Sequence, residues 1–412
     1  FNLVSDSYIA PQFGNRDHPF TITGGEGLKI FTKEYGELFD SVAGYWYNVL
    51  GMRHPELLDV KHDVGGIATH LYEEYTNPYA EKLAKQLCEK TSMSNLVYSA
   101  TGSMANENAR KEAVHYHESK GIPSEQLVFT TIHGSYHGSV GEMLKWIDPK
   151  QNPYSIEEPI YEKTEHIGEL IENYKENIEN ANSDGKTIAG FFYEPIMGVR
   201  GAVPLPSNYL EKIAEISQKH NILMIADEVT TGIGRTGTFL CSENFNFKPD
   251  IVCIGKAVSA GHYPVAATLF NQKIIDSWNE LEKMGQSYSE IHRRGNSLVG
   301  TQEGSAISLK VLEILERDNL LHEVNEKGKY AMDKLKEIEQ NSNIREIRGK
   351  GLLIGIDISN SDLAKNHITP EMRNHGINVL AEGRVIMFNP SYLISREQID
   401  YYVNTLNNIL TK

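Results

Sequence analysis

The sequence predicts an α/β protein with a mostly parallel β-sheet, helices on both of its faces and a smaller α+β domain. Two short apolar runs carry this prediction: residues 222–226 end abruptly at Asp227, and residues 251–254 end just before Lys256. Short apolar runs bounded by turn residues are typical of strands that are buried on both faces. Such runs alternate with helix-forming segments up to about residue 270, an order that favours parallel strands joined by crossover helices.

The length of the chain predicts two domains, because 412 residues exceed what one hydrophobic core usually holds. We place the large domain at residues 46–314 and the smaller domain at residues 315–412, with residues 1–45 as an N-terminal segment that joins the smaller domain. From residue 344 onward the predicted strands and helices become short, which marks the smaller α+β domain.

Composition argues against several classes of partner. The net charge of −15 argues against binding to nucleic acid or to an anionic membrane. No apolar run approaches the roughly 18 residues that span a bilayer. Cys88, Cys241 and Cys253 are too few and too scattered for a disulfide framework or a zinc site. We therefore expect a reduced, cytoplasmic protein of enzyme size.

The individual elements follow from local patterns. Strands are predicted at short apolar runs, namely residues 28–31, 37–40, 95–98, 126–130, 188–193, 222–226, 251–254, 352–357 and 385–388. Helices are predicted where apolar residues recur at helical spacing or helix-forming residues cluster, namely residues 78–90, 104–113, 167–180, 209–220, from about 303, 321–340 and 396–410.

Asp227 and Lys256 follow two strands that we expect to be neighbours. Ligands of parallel sheets gather beyond the carboxyl ends of the strands, so the two side chains are candidates for one site. A desolvated lysine forms Schiff bases, and a buried carboxylate holds a protonated ring nitrogen. Pyridoxal phosphate requires these two protein groups. A carboxylate after a strand is more often a helix cap or a turn residue, and a lone lysine there is seldom catalytic. The hypothesis therefore needs a phosphate site and a ring-stacking aromatic elsewhere.

Three further strand ends supply such candidates. Residues 101–103, Thr-Gly-Ser, lie between a strand and a helix, where free backbone N–H groups and hydroxyls bind anions. On local evidence alone, an ordinary helix N-cap is the simpler and favoured interpretation of the same residues. Tyr136 is an aromatic in a loop flanked by glycines, and Glu194 is a third acid at a strand end.

The apparent metal-binding and nucleotide-binding motifs lack neighbouring features that such sites require. His133 and His137 have the spacing of zinc ligands, but Gly134 stands where a zinc protease needs glutamate. Residues 232–237 match GxGxxG, yet other residues separate them from the strand and no convincing helix follows. Asp250 replaces the first glycine of a P-loop.

Taken together, these features resemble the class III pyridoxal-phosphate aminotransferases of fold type I, from about residue 38 to residue 410. The matching stretches occur in the family's order: 38–51, 101–106, 136–138, 194–195 and 227–256. The resemblance implies a sheet of the seven-stranded type and pyridoxal 5'-phosphate as the cofactor.

The resemblance also implies roles for individual residues. Lys256 would bind the cofactor as a Schiff base and act as general base and acid, Asp227 would pair with the ring nitrogen, and Glu194 would support the polar edge of the ring. The other candidates for binding the cofactor are Thr101, Gly102 and Ser103 at the phosphate, Tyr136 and Val229 on the two ring faces, and His137.

A homodimer, or a tetramer, with shared active sites is implied as well. Ser297 falls where the family places a threonine that reaches the phosphate of the neighbouring subunit. Thr301 is the alternative if the alignment is shifted.

Two departures from the family pattern bear on the substrate. Members that act on α-amino acids often carry an arginine and a glutamate where this chain has Met387 and Val199. A carboxylate buried there would lack a partner, which is costly. The resemblance thus implies an ω-type enzyme that moves an amino group from an amine donor to a keto or aldehyde acceptor. The candidates for substrate binding are Trp46, Val199, Arg235 and Met387, with Arg200 and Arg384 as alternative ligands for a carboxylate.

Two alternatives share this scaffold. An aminomutase or a racemase would also be compatible with the missing arginine. A regulatory protein that binds pyridoxal phosphate without turnover is the more remote alternative, since Lys256, Asp227, Tyr136 and Glu194 are all present.

Overall fold

A computed structural model describes residues 20–65, 77–147, 152–159, 166–287 and 298–412. The α-helices of six or more residues in this part of the chain, in order, are α1 Pro55–Val64, α2 Pro78–Thr91, α3 Gly102–Glu118, α4 Ile167–Ser183, α5 Ser207–Lys219, α6 Gln272–Lys283, α7 Gln302–Arg317, α8 Leu320–Ile338, α9 Thr369–Asn374 and α10 Arg396–Leu410.

The strands, in the same order, are β1 Ile22–Glu26, β2 Lys29–Thr32, β3 Gly36–Asp40, β4 Asn95–Ser99, β5 Leu127–Thr131, β6 Thr187–Tyr193, β7 Ile196–Met197, β8 Val203–Pro204, β9 Leu223–Asp227, β10 Ile251–Ile254, β11 Ala266–Phe270, β12 Ile344–Lys350, β13 Leu353–Ile358, β14 Ile377–Asn378, β15 Leu380–Glu382 and β16 Val385–Phe388. These elements include every strand and helix that the sequence predicts.

The central sheet has the strand order β4-β11-β10-β9-β6-β5. Strands β5, β6, β9 and β10 pair in parallel, whereas β11 is antiparallel to both of its neighbours, β10 and β4. The predicted α/β fold with a mostly parallel sheet is confirmed. Within the described residues the sheet has six strands, not seven, and one of them is reversed.

Helices cover both faces of this sheet because successive residues of a strand point to opposite sides. On β9, Leu223 and Ile225 contact the core on the side of α3 and α6, while Met224 and Ala226 face the core on the side of α4 and α5. Buried apolar residues on both sides explain why β9 is apolar up to its last residue, Asp227.

Two smaller sheets bring the ends of the chain together. An antiparallel sheet of order β12-β13-β16-β15 contains Met387, which lies opposite Gly355 on one side and Leu380 on the other. Strand β3 pairs in parallel with β14, with Phe39 opposite Ile377. Helix α7 runs through residue 314, and the domain boundaries at residues 45 and 314 stay a prediction.

No helix in the described ranges is both long and apolar enough to cross a membrane. A cytoplasmic location stays a prediction.

Alanine substitutions at two glycines, Gly328 in α8 and Gly168 in α4, test how closely α8 packs. A Cβ added to Gly328 would lie 2.5 Å from backbone atoms of Gly351, whereas a Cβ on Gly168 of α4 would meet nothing within 4 Å. We expect Gly328→Ala to lower the free energy of unfolding by about 1–3 kcal/mol, because overpacking outweighs the better helix propensity of alanine.

The matched variant Gly168→Ala is expected to be neutral or stabilising, by up to about 1 kcal/mol. Thermal unfolding of both variants measures the difference. Equal midpoints would show that α8 does not pack closely on Gly351.

Candidate active site

The carboxyl ends of strands β4, β9 and β10 meet around Val229. A Cβ on Gly102, at the start of α3, would lie 2.5 Å from Val229 Cγ1. A Cβ on Gly255, before Lys256, would lie 3.3 Å from the same atom and 3.6 Å from the Cα of Gly102. The absence of side chains on both glycines therefore lets the helix start and the two strand ends approach closely. The fold thus brings together the strand ends that carry Asp227, Lys256 and the Thr-Gly-Ser turn.

Asp227 ends β9, and its carboxylate accepts three hydrogen bonds. Oδ2 accepts from Asn106 Nδ2 at 2.7 Å and from His137 Nδ1 at 2.9 Å, while Oδ1 accepts from the backbone N–H of Val229 at 3.1 Å. The other ring nitrogen of His137 lies 2.9 Å from Thr131 Oγ1, which fixes the imidazole. These partners hold the carboxylate in one orientation. The sequence placed Asn106 only in the phosphate turn and did not single out Thr131, because neither local pattern shows a contact with Asp227.

Glu194 follows β6 and is buried. Its Oε1 accepts from the N–H of Tyr136 at 3.0 Å, and its Oε2 accepts from the N–H of Gly198 at 3.0 Å. Burial, with a contribution from the charge of Asp227, raises the pKa of Glu194 to about 7. The side chain thus holds the backbone of the Tyr136 loop and is poised to change its protonation near neutral pH.

Lys256 lies just beyond β10, with φ at 44°, a left-handed conformation that is rare for a lysine. Its Nζ donates to Thr230 Oγ1 at 2.6 Å and lies 4.9 Å from the centre of the Trp46 ring. Burial lowers the pKa of Lys256 to about 8, against the opposing charges of Asp227 and Glu194. A substantial fraction of neutral amine near physiological pH suits a nucleophile.

The Thr-Gly-Ser turn begins helix α3, which has 17 residues. Thr101 Oγ1 accepts from the N–H of Met104 at 3.3 Å, so this side chain is an N-cap, as the simpler interpretation held. Ser103 Oγ accepts from the N–H of Ser139 at 3.4 Å. The free N–H groups of a long helix still favour an anion at this end.

Trp46, Met387 and Val199 belong to one apolar cluster. Trp46 is 1% exposed and Met387 is fully buried, while Val199 is partly buried at its edge. The other members of the cluster are Val42, Ile196, Ala202, Cys241, Leu353, Val385 and Leu380. Trp46 connects this cluster to Lys256.

Arg235 is fully buried, but its guanidinium contacts main-chain carbonyls. It donates to Leu352 O at 3.1 Å, to Pro390 O at 2.6 Å and to Trp46 O at 3.3 Å, and it stacks on the Tyr392 ring. The guanidinium thus joins three distant segments. A role for Arg235 in substrate binding stays a prediction.

The other two arginines considered for a substrate carboxylate have acidic partners. Arg384 donates to both oxygens of Asp357, at 2.5 and 3.1 Å, and Arg200 donates to Glu158 at 2.6 Å. Each is therefore engaged in an ion pair.

Of the two candidates for the phosphate of a neighbouring subunit, Ser297 lies outside the described residues. Thr301 is the N-cap of α7, and its hydroxyl accepts from the N–H of Gly304 at 3.1 Å.

Comparison with known proteins decides the family. The model of the family Aminotransferase class-III matches residues 12–410. The chain belongs to the class III aminotransferases. The resemblance inferred from the sequence motifs is therefore confirmed, and the enzyme is a transaminase whose cofactor is pyridoxal phosphate.

Curated relatives of this aminotransferase have several substrates in their names. Gamma aminobutyrate transaminase 3 of Solanum lycopersicum is 30% identical, over 93% of this chain and 78% of the relative. Ornithine aminotransferase of Oceanobacillus iheyensis is 27% identical, over 100% of this chain and 98% of the relative. Among solved structures, an amine transaminase from an uncultivated Pseudomonas species in its pyridoxal-phosphate-bound form is 26% identical, with a TM-score of 0.89 and 99% of both chains covered.

The residues of this aminotransferase fit the cofactor. Lys256 offers a half-buried amine with a lowered pKa, Asp227 an oriented carboxylate, and α3 an N-terminus cleared by Gly102. When bound, pyridoxal phosphate supplies an aldehyde that condenses with amines and a cationic ring that withdraws electrons. We expect Asp227 to pair with the ring nitrogen and the start of α3 to hold the phosphate.

The lowered pKa of Lys256 predicts how the rate at which the cofactor-free enzyme binds pyridoxal phosphate depends on pH. Only the neutral amine attacks an aldehyde, so the rate should rise with pH through a midpoint near 8, the pKa of Lys256. The rate is measured by absorbance after rapid mixing of enzyme and pyridoxal phosphate, in separate experiments between about pH 6 and about pH 10. A free lysine side chain, with a pKa of about 10.4, serves as the reference.

A second variant tests the electrostatic part of this explanation. The charge of Glu194 raises the pKa of Lys256, so Glu194→Gln should move the midpoint to lower pH. A midpoint equal to that of free lysine in the native enzyme would contradict the effect of burial.

Proposed function

We propose that this aminotransferase is of the ω-type: it takes an amino group from an amine whose reacting carbon carries no carboxylate and passes it to a keto or aldehyde acceptor. The observation that carries the proposal is the apolar cluster of Trp46, Met387 and Val199 beside Lys256.

The cluster disfavours a carboxylate on the reacting carbon. Met387 is fully buried within a sheet, between Gly355 and Leu380, so it cannot turn away to admit a charge. A carboxylate placed against Met387 and Trp46 would lose its hydration without gaining a partner.

The three candidate arginines do not supply that partner without cost. Arg235 would have to leave three carbonyls, and Arg384 would have to leave Asp357. Arg200 would have to leave Glu158. Among the residues that the structure describes, the three candidates are therefore already engaged.

Glu382, an acid near the same cluster, also disfavours a substrate carboxylate. The Tyr45 ring stacks on Trp46 at 5.0 Å, and its hydroxyl donates to Glu382 Oε1 at 2.6 Å. The negative charge of Glu382 repels a substrate carboxylate and attracts the ammonium of an amine donor. The names of the similar proteins support the proposal: one is an amine transaminase, and another acts on gamma aminobutyrate, whose amino carbon is remote from its carboxylate.

In the proposed reaction each residue has a distinct task. Lys256 accepts the proton from the carbon that bears the amino group and later returns one. Asp227 keeps the ring nitrogen protonated, and Glu194 holds the Tyr136 loop against the ring. Trp46 excludes water from the Lys256 amine. We further propose a homodimer, or a tetramer, in which Ser297 or Thr301 contributes to the neighbouring subunit's site.

A donor screen tests the proposal. Simple primary amines and γ-amino acids should exceed ordinary α-amino acids in kcat/KM by at least about 30-fold, since an unpaired buried charge costs about 2–5 kcal/mol. Loss of the cofactor's absorbance and formation of the carbonyl product measure the transfer. Passage of the amino group to an added keto acid separates transfer from the aminomutase or racemase alternative.

Arg384→Ala serves as the control variant. It should leave the donor preference unchanged, because the Arg384 guanidinium is bound to Asp357. A strong preference for α-amino acids that persists in Arg384→Ala would contradict the proposal, and a preference that this variant abolishes would assign the carboxylate to Arg384.

A further inference from the structure

The amine of Lys256 is held by a hydroxyl to which neither the sequence motifs nor the cofactor assign a task. Lys256 Nζ donates to Thr230 Oγ1 at 2.6 Å, a short and strong contact for an amine and a hydroxyl. Thr230 is 8% exposed, so little water competes for this contact. The Trp46 ring lies 4.9 Å from the same Nζ.

The Thr230 side chain is itself confined. A Cβ on Gly198 would lie 3.3 Å from Thr230 Cγ2 and 3.2 Å from Trp46 Cζ3, so Gly198 leaves room for both side chains and little more. The N–H of Gly198 donates to Glu194 Oε2 at 3.0 Å. The methyl group of Thr230 therefore packs on a backbone that Glu194 holds, and the hydroxyl is left to face Lys256.

The next residues anchor the same loop. Thr231 Oγ1 donates to Glu228 Oε2, and the N–H groups of Cys241 and Ser242 donate to the same carboxylate at 3.0 and 2.6 Å. Since Glu228 is fully buried, this arrangement fixes the backbone that carries Thr230.

We propose that Thr230 is a positioning residue for proton transfer: its hydroxyl holds the Lys256 amine whenever that amine is not bonded to the cofactor. The hydroxyl restricts a long, flexible side chain to one direction, which raises the fraction of time that the amine is placed to exchange a proton. It also stabilises the ammonium more than the amine, because a charged donor makes the stronger hydrogen bond.

The charged groups that act on Lys256 come from three places. Asp227 at the end of β9 and Glu194 after β6 favour the ammonium, and Arg235 in the loop after β9 disfavours it. Replacing the Thr230 hydroxyl leaves these three groups in place, so a change in the titration of Lys256 reports the lost hydrogen bond.

The test uses the full-length enzyme, stripped of its cofactor and reloaded with pyridoxamine phosphate, a form in which Lys256 is free. Brief acetylation with acetic anhydride over a pH series, read at Lys256 by peptide mass spectrometry, gives the titration midpoint of its amine. In Thr230→Val the midpoint should fall by about one pH unit, the size expected for one hydrogen bond to a charged group. Thr230→Ser should restore it, and Thr405→Val, a buried threonine in α10, should not change it.

A kinetic measurement completes the test. With an amine donor deuterated at the carbon that bears the amino group, Thr230→Val should lower kcat/KM by about tenfold or more and enlarge the deuterium isotope effect, and serine should rescue both. If valine at this position prevents folding, Thr230→Ala replaces it. An unchanged midpoint and isotope effect, or a serine variant that behaves like valine, would overturn the proposal. The acetylation assay needs no knowledge of the natural donor, so its outcome is independent of the ω-type proposal.

Discussion

The parallel pairing of β9 with β10 is the contact on which the candidate active site depends. Its register sets Asp227 level with Cys253, and the N–H of Glu228 continues the ladder by donating to Cys253 O at 2.8 Å. Because the two strands run in the same direction, the acid and Lys256 emerge at the same edge of the sheet. A shift of one residue would turn the Asp227 side chain to the opposite face, away from His137 and from the start of α3.

Burial shifts the pKa values of charged groups in the candidate site. Asp227 and Glu194 are buried and Lys256 is half-buried, so the charges of these side chains depend on their protein partners. Desolvation raises the pKa of Glu194 and lowers the pKa of Lys256, so it favours the uncharged form of both groups. Groups that titrate near neutral pH exchange protons readily, as an aminotransferase requires. The donors around Asp227 and the Thr230 hydroxyl at Lys256 orient these groups.

The wall of the proposed substrate pocket comes from three separate parts of the chain, and Arg235 joins them. Its guanidinium binds the carbonyls of Trp46, Leu352 and Pro390, which lie 189, 117 and 155 residues away in sequence. The pairing of β3 with β14 adds a second link between the N-terminal and C-terminal segments. The apolar cluster around Trp46 and Met387 therefore forms only when both ends of the chain have docked on the large sheet.

Much of the fold and part of the site are local properties, which the sequence by itself determined. The strand Ile251–Ile254 and the helix Arg396–Leu410 were predicted at their observed bounds, because apolar runs and helical periodicity reflect the burial of each element. The strand-end positions of Asp227 and Lys256 followed for the same reason.

Only the tertiary structure decided the direction of β11, the contact of Asn106 with Asp227, the orientation of Arg235 towards carbonyls and the hydrogen bond from Lys256 to Thr230. An apolar run shows that a strand is buried but not which way it runs. A polar side chain takes its partner from segments that become neighbours only after the chain has folded.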